Sequence, residues 1–124
     1  MQKEFNSANR ISRIGNKVND IIVPIKMRIL SKSTLRDFWE IYPDSEAGLK
    51  TWFTKIKKGE YNTPLDIIND FKGADYLGSR IIFNVAKNKY RLIASFRYDK
   101  QICYIHFVGT HKEYDNIDPE TVEI

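Results

Sequence analysis

The hydrophobic spacing changes period once along this chain, and that change narrows the folds open to it. In the first half the period is helical. Leu35, Phe38, Trp39 and Tyr42 fall at i, i+3, i+4 and i+7, and Leu49, Trp52, Phe53 and Ile56 repeat the spacing. In the second half the period is two. Ile81, Phe83 and Val85 alternate with Ile82 and Asn84, Leu92, Ala94 and Phe96 with Arg91, Ser95 and Arg97, and Cys103, Ile105 and Phe107 with Tyr104, His106 and Thr110. A pair of aromatic-striped helices followed by a one-sided sheet predicts an α+β domain in which the helices cover the apolar face.

The punctuation sharpens the elements. Ile25 to Leu30 suits a short first strand, and Ser31 or Ser33 can cap the helix that follows. Pro43 ends that helix and Asp44 is placed to cap the next. Gly59 stops it, after Lys55, Lys57 and Lys58 have loaded its C-terminal end favourably for the helix dipole. Residues 61–79 read as a connector with a brief strand or helical turn. Short loops, AKNK and Asp99-Lys100, then join three strands as antiparallel hairpins: Ile81–Val85, Tyr90–Tyr98 and Ile102–Val108. Both tryptophans belong to the stripes and are expected in the core.

Residues 1–26 are polar and poorly periodic. They are expected to be an N-terminal extension, either a disordered arm or a stretch not native to the domain, which then occupies 27–124. With 124 residues and 42% hydrophobic content, one domain with a real core is expected. One cysteine rules out an internal disulfide and favours a reducing, cytoplasmic setting. Two histidines and that cysteine are too few for an ordinary four-ligand structural zinc site, and no apolar run is long enough to span a membrane.

The net charge of +4 is modest, but the basic residues are segregated. Between 80 and 112 there are seven, Arg80, Lys87, Lys89, Arg91, Arg97, Lys100 and Lys112, against the single acid Asp99. That is the electrostatic footprint of a polyanion partner, or of a solvated strand face. The alternation puts Asn84, Arg91, Arg97, Tyr104 and His106 on the polar side of the sheet. Nuclease chemistry that depends on Mg²⁺ needs clustered carboxylates, and none falls on that face. A metal-free ribonuclease needs a base for the ribose 2′-OH, cations for the phosphorane and an acid for the leaving oxygen. Histidine, arginine, lysine and tyrosine can fill those roles. A histidine or arginine on a strand is nonetheless more often an ordinary surface residue, and Thr110-His111-Lys112-Glu113 is also a helix capping box.

The stretch RIIFNVAKNKYRLIASFRYDKQICYIHFVGTHKEYD resembles the HigB-type toxins of bacterial toxin–antitoxin systems, within the RelE/ParE superfamily. The most specific pieces are FNV, YRL after a lysine-rich turn, and THKEYD. The helix pair ending in LKTWFTKI fits as well, and the resemblance covers roughly residues 27–117. It implies a RelE-like fold, two N-terminal helices packed on one face of an antiparallel sheet of about four strands. It implies an mRNA interferase, a ribosome-dependent endoribonuclease that works by metal-free 2′-OH attack without cofactors and arrests growth by inhibiting translation. It also implies a HigA-type helix-turn-helix antitoxin, with DNA engaged only through that partner. By position, Arg91 matches the arginine beside the scissile phosphate, and His111 and Tyr114 complete the expected catalytic set. Lys87, Lys89, Arg97, His106 and Lys112 are the expected RNA-binding residues. Two other readings stay open: a ParE-like inhibitor of DNA gyrase, and a non-catalytic RNA-binding module.

Overall fold

The computed structural model describes residues 26–124 and, upstream of them, only the backbone of two short strands, β1 (Ile11–Ile14) and β2 (Ile21–Pro24), paired antiparallel. The expected N-terminal extension otherwise lies outside the described residues. The main domain runs β3 (Arg28–Leu30), α1 (Ser33–Ile41), a 3-10 turn (Pro43–Ser45), α2 (Glu46–Lys58), α3 (Pro64–Asp70), β4 (Asp75–Leu77), β5 (Arg80–Val85), β6 (Tyr90–Arg97), β7 (Ile102–Thr110) and α4 (His111–Asp115).

These elements form an α+β domain around a five-stranded sheet in the order β3-β7-β6-β5-β4. The expected sheet of about four antiparallel strands is corrected in two ways. The connector supplies an extra edge strand, β4, and the opening strand β3 runs parallel to β7. β3 is also shorter than expected and begins at Arg28.

The helical stripes behave as their spacing predicts. Leu35, Phe38, Leu49, Trp52 and Ile56 are buried in one core with Phe83, Val85, Leu92, Ala94, Cys103 and Ile105, and Trp39, Tyr42 and Phe53 pack at its margin. The Trp52 and Phe71 rings meet Phe83 edge-on at 5.4 and 5.1 Å. Among the described residues no helix is long and apolar enough to cross a membrane.

The helix ends depart from expectation. Neither Ser31 nor Ser33 caps α1. The preceding Lys32 is already helical (φ −65°, ψ −23°), so a backbone turn from Ser31 starts the helix and leaves no extended capping residue. Asp44 does not cap α2 either. It sits inside the 3-10 turn, and its carboxylate reaches across to β6, where the Tyr90 hydroxyl donates to it at 2.5 Å and Lys89 pairs with it. Gly59 does end α2, but in an extended conformation (φ −72°, ψ 158°).

The last strand holds the main correction. β6 and β7 pair in register from Arg97↔Ile102 to Ala94↔Ile105, and then jump to Ile93↔Phe107. His106 has no partner across the ladder, so it is a β-bulge. Beyond it the alternation inverts. Phe107, expected on the core side, shares the opposite face with Ile93, and neither joins the main core. Val108 packs on the core instead, and Thr110 lies opposite the buried Tyr90.

Candidate active site

The inversion of β7 builds the site. It sets Gly109 beside Arg91, with Asn84 on Arg91's other side, so these three residues form one row across the polar face. Gly109 leaves that row open on the β7 side. A Cβ there would lie 2.5 Å from the Phe107 ring and 2.9 Å from Glu113 Oε1. One residue later the strand ends in the expected capping box. The Glu113 amide donates to Thr110 Oγ1 at 3.1 Å, and the Thr110 amide donates to Glu113 Oε1 at 2.8 Å. The box turns the chain into α4 over the row.

Arg91 is the centre of what results. Its guanidinium donates to Asn84 Oδ1 and lies 3.4 Å from His111 Nε2, with its carbon 5.5 Å from the centre of the Tyr114 ring. Asn84 is held from behind, because its amide nitrogen donates to the Gly73 carbonyl at 3.1 Å. His111 Nε2 also meets the carbonyl oxygen of Asn88 in the β5–β6 turn. A carbonyl only accepts, so this contact calls for a hydrogen on Nε2, and Nδ1 is the ring nitrogen not engaged by it.

That turn is unusual. Ala86, Lys87 and Asn88 all have positive φ, 54°, 57° and 69°. Non-glycine residues seldom adopt this conformation, and it persists where surroundings hold it in place. Here the turn is held from two sides, by Asp44 gripping Lys89 and Tyr90, and by His111 on Asn88. Lys89 and Tyr90 hold the Asp44 carboxyl below the usual carboxylate range, and the same contact pushes the Tyr90 phenol up to about 12.

The sequence-predicted residues therefore separate. Arg91, His111 and Tyr114 are brought together. Lys87 stands exposed on the turn beside them, and Lys112 is exposed on α4. Lys89 is committed to Asp44. Arg97 lies six residues along β6 from Arg91, about 20 Å at strand spacing, and is paired with Asp99 at 3.1 Å. His106 lies below the apolar pair Ile93 and Phe107, under the C-terminal segment. There Ser95 Oγ and His106 Nε2 share a hydrogen bond of 2.7 Å, and His106 Nδ1 donates to Glu123 Oε1 at 2.8 Å. Arg80 completes this second cluster. It donates to Glu123 Oε2 and to the Val122 carbonyl at 2.7 Å each, and to the Pro119 carbonyl at 3.2 Å. His106 first, then Arg80, hold the Glu123 carboxyl below its ordinary value. The polar face is thus two clusters with an apolar band between them.

Alternation put Asn84 on the polar face, but it was not among the expected catalytic or RNA-binding residues. A signal was present: counting outward from the four-residue turn pairs Val85 with Tyr90, and so Asn84 with Arg91.

Comparison with known proteins identifies the family. A family profile described as HigB_toxin, the RelE-like toxic component of a toxin–antitoxin system, matches residues 45–117. The chain is 35% identical over 92 residues to the mRNA interferase toxin HigB of Escherichia coli K12, covering 72% of this chain and 88% of that protein. It shows the same identity and coverage to the mRNA interferase HigB of Shigella flexneri. The mRNA interferase HigB of Escherichia coli O6:H1 is 24% identical over 94 residues, with 73% and 91% covered. The matched span contains the α2 stripe, the Asn84–Arg91 pair and the capped turn carrying His111 and Tyr114, and on these grounds the chain belongs to the HigB family of RelE-like toxins.

Proposed function

We propose that this protein is an mRNA endoribonuclease, the toxin of a toxin–antitoxin pair, which cleaves by 2′-OH attack without a metal ion. The observation that carries the reading is the convergence of His111 and Tyr114 on the Arg91 guanidinium. His111 Nδ1 takes the 2′-OH proton. The 2′ oxygen bonds to phosphorus while the P–O5′ bond breaks, which leaves a 2′,3′-cyclic phosphate and a free 5′ hydroxyl. Arg91 faces the charge that grows on the non-bridging oxygens, pre-aimed by Asn84. Tyr114, on the same guanidinium, is assigned the proton returned to the 5′ oxygen. Lys87 and Lys112 hold flanking phosphates.

The open shape of the site supports a dependence on the ribosome. His111 is exposed and Arg91 only partly covered, so the protein alone does little to fix the ribose and phosphate in line. A large share of the barrier to such a reaction is positional, and a codon held on the ribosome supplies that positioning. The partner read from family membership is an antitoxin, here of the HigA helix-turn-helix type, and the place of action is the cytoplasm.

The test is expression in a translation extract with primer extension on the message, beside a gyrase supercoiling assay. Wild-type protein should cut translated mRNA and leave supercoiling unchanged. Arg91→Ala and His111→Ala should each lower cleavage about 100-fold or more with unchanged circular dichroism. Wild-type rates in both variants would overturn the site, and inhibition of gyrase without cleavage would overturn the reaction.

A further inference from the structure

The β5–β6 turn is a ridge. His111 and Arg91 lie on one side of it. On the other, between α2 and β5, is a cleft of about 760 Å³, of which the reaction above uses only Asn84 and Lys87 at the rim. That size falls within the range of ligand-binding sites. Four lysines line it against one carboxylate: Lys55 from α2, Lys72 from the α3–β4 turn, and Lys87 and Lys89 from the ridge, with Asp44 at one end. Two of them are occupied. Lys89 pairs with Asp44, and Lys55 reaches the Asp70 carbonyl, with its ammonium 3.7 Å from the Asp70 carboxylate. Lys72 and Lys87 have no ion-pair partner among the described residues.

Two further observations mark the cleft as more than a charged surface. Its depth depends on Gly48, where a Cβ would sit 2.9 Å from the Ala86 amide nitrogen, so α2 and the ridge touch only because this residue has no side chain. Trp52 lies in its wall, 97% buried by its 3% exposure, and the indole Nε1 has no hydrogen-bond partner among the described residues. A buried donor left unpaired is uncommon and costly. The cleft also connects to the site. Asn84 lines it and binds Arg91, and Lys87 stands on the crest between the two.

We infer that this cleft is a second phosphodiester site, which takes the RNA backbone after it has crossed the ridge from Arg91. The inference rests on the proposed RNA substrate but not on cleavage. The chemistry suits a polyanion: lysines offer point charges, Asn84 and Thr51 add polar groups, and no base-reading pocket is required. The phosphodiester could come from the message or from ribosomal RNA, and the two sources separate experimentally.

Full-chain Arg91→Ala protein, which should not cut, is titrated with fluorescent 2′-O-methyl RNA of three and of twelve nucleotides over a salt series. Lys55→Gln/Lys72→Gln is added in the same background, with Lys55→Arg/Lys72→Arg as the charge-retaining control. If the message fills the cleft, the glutamine pair should weaken binding of the twelve-mer about tenfold. Its salt slope should flatten by about 0.7 to 1.4, at about 0.7 per phosphate on a single strand, the lower figure being the share of the unpaired Lys72 alone. The trimer should bind as before, and the arginine pair should restore the twelve-mer. If ribosomal RNA fills it, twelve-mer binding should hold, and co-sedimentation with message-free ribosomes should fall in the glutamine pair alone. Unchanged behaviour in both arms overturns the cleft. Cleavage itself is scored on wild-type protein, so a chain that binds through these lysines yet never cuts would sink the nuclease reading and leave the cleft standing.

Discussion

At the scale of single residues, Arg91 is defined by its neighbours. Its guanidinium touches an amide oxygen, an imidazole and a ring face together, which a lysine ammonium does not reproduce. Arg91→Lys is therefore expected to lose most of the cleavage lost in Arg91→Ala, despite keeping the charge, as primer extension would measure. Asn84→Ala should act through Arg91, lowering turnover more than apparent affinity for the message, with Asn84→Gln recovering little because its amide stands one methylene further out. Gly109→Ala tests the open side of the row. Its methyl would overlap the Phe107 ring, so a stability loss of about 1–3 kcal/mol by denaturant titration and a fall in cleavage are expected together. Alternation and the turn spacing made Arg91 legible, and the capping box made His111 and Tyr114 legible. Arg97 and His106 shared the right charge and parity but not the right place. The sequence has no marker for a carboxylate arriving from the last residues of the chain, and Glu123 is what occupies His106.

At the scale of elements, caps and straps decide where the site residues point. Thr110→Ala removes one side of the box that starts α4. A loss of about 1 kcal/mol is expected, with a larger proportional loss of activity because His111 and Tyr114 ride on that turn. The capping box was readable because its two partners, Thr110 and Glu113, lie three positions apart. The failures at Ser33 and Asp44 have a common cause, since propensity names a residue able to cap while the backbone entering α1 and the pull of Lys89 and Tyr90 decide otherwise. The C-terminal strap gives a pH prediction. The Glu123 carboxyl is held below its ordinary value of 4.5 by His106 and Arg80. A depressed carboxylate contributes stability that is present above its unfolded value and lost as pH falls through its folded one. The groups facing it, His106 and Arg80, keep it ionised near neutrality. Protection of the amides of residues 120–123, taken relative to the intrinsic exchange rate at each pH, should be high at neutral pH and fall on acidification below about 4.5, and Glu123→Gln should be weakly protected at both.

At the scale of the whole molecule, two periods in one sequence were enough to read an α+β domain with its helices on one face. The parallel β3–β7 contact was not readable, because hairpin logic applies only to strands adjacent in the chain, and β3 reaches its partner across more than seventy residues. The shared core explains why the parts hold together. Phe83 is 1% exposed and touches the rings of Trp52, Phe71 and Phe96, which belong to α2, the α3–β4 connector and β6. Phe83→Ala should lower unfolding free energy by about 3–5 kcal/mol in chemical denaturation. The bulge at His106 adds a consequence for inheritance. Replacing that residue keeps the count of the strand, so His106→Ala should still cut RNA. Losing its codon removes only the unpaired residue. Ile105 and Phe107 already face the adjacent residues Ala94 and Ile93, so Phe107 to Thr110 would keep their partners and faces, and the three-letter deletion should leave His111 and Tyr114 beside Arg91.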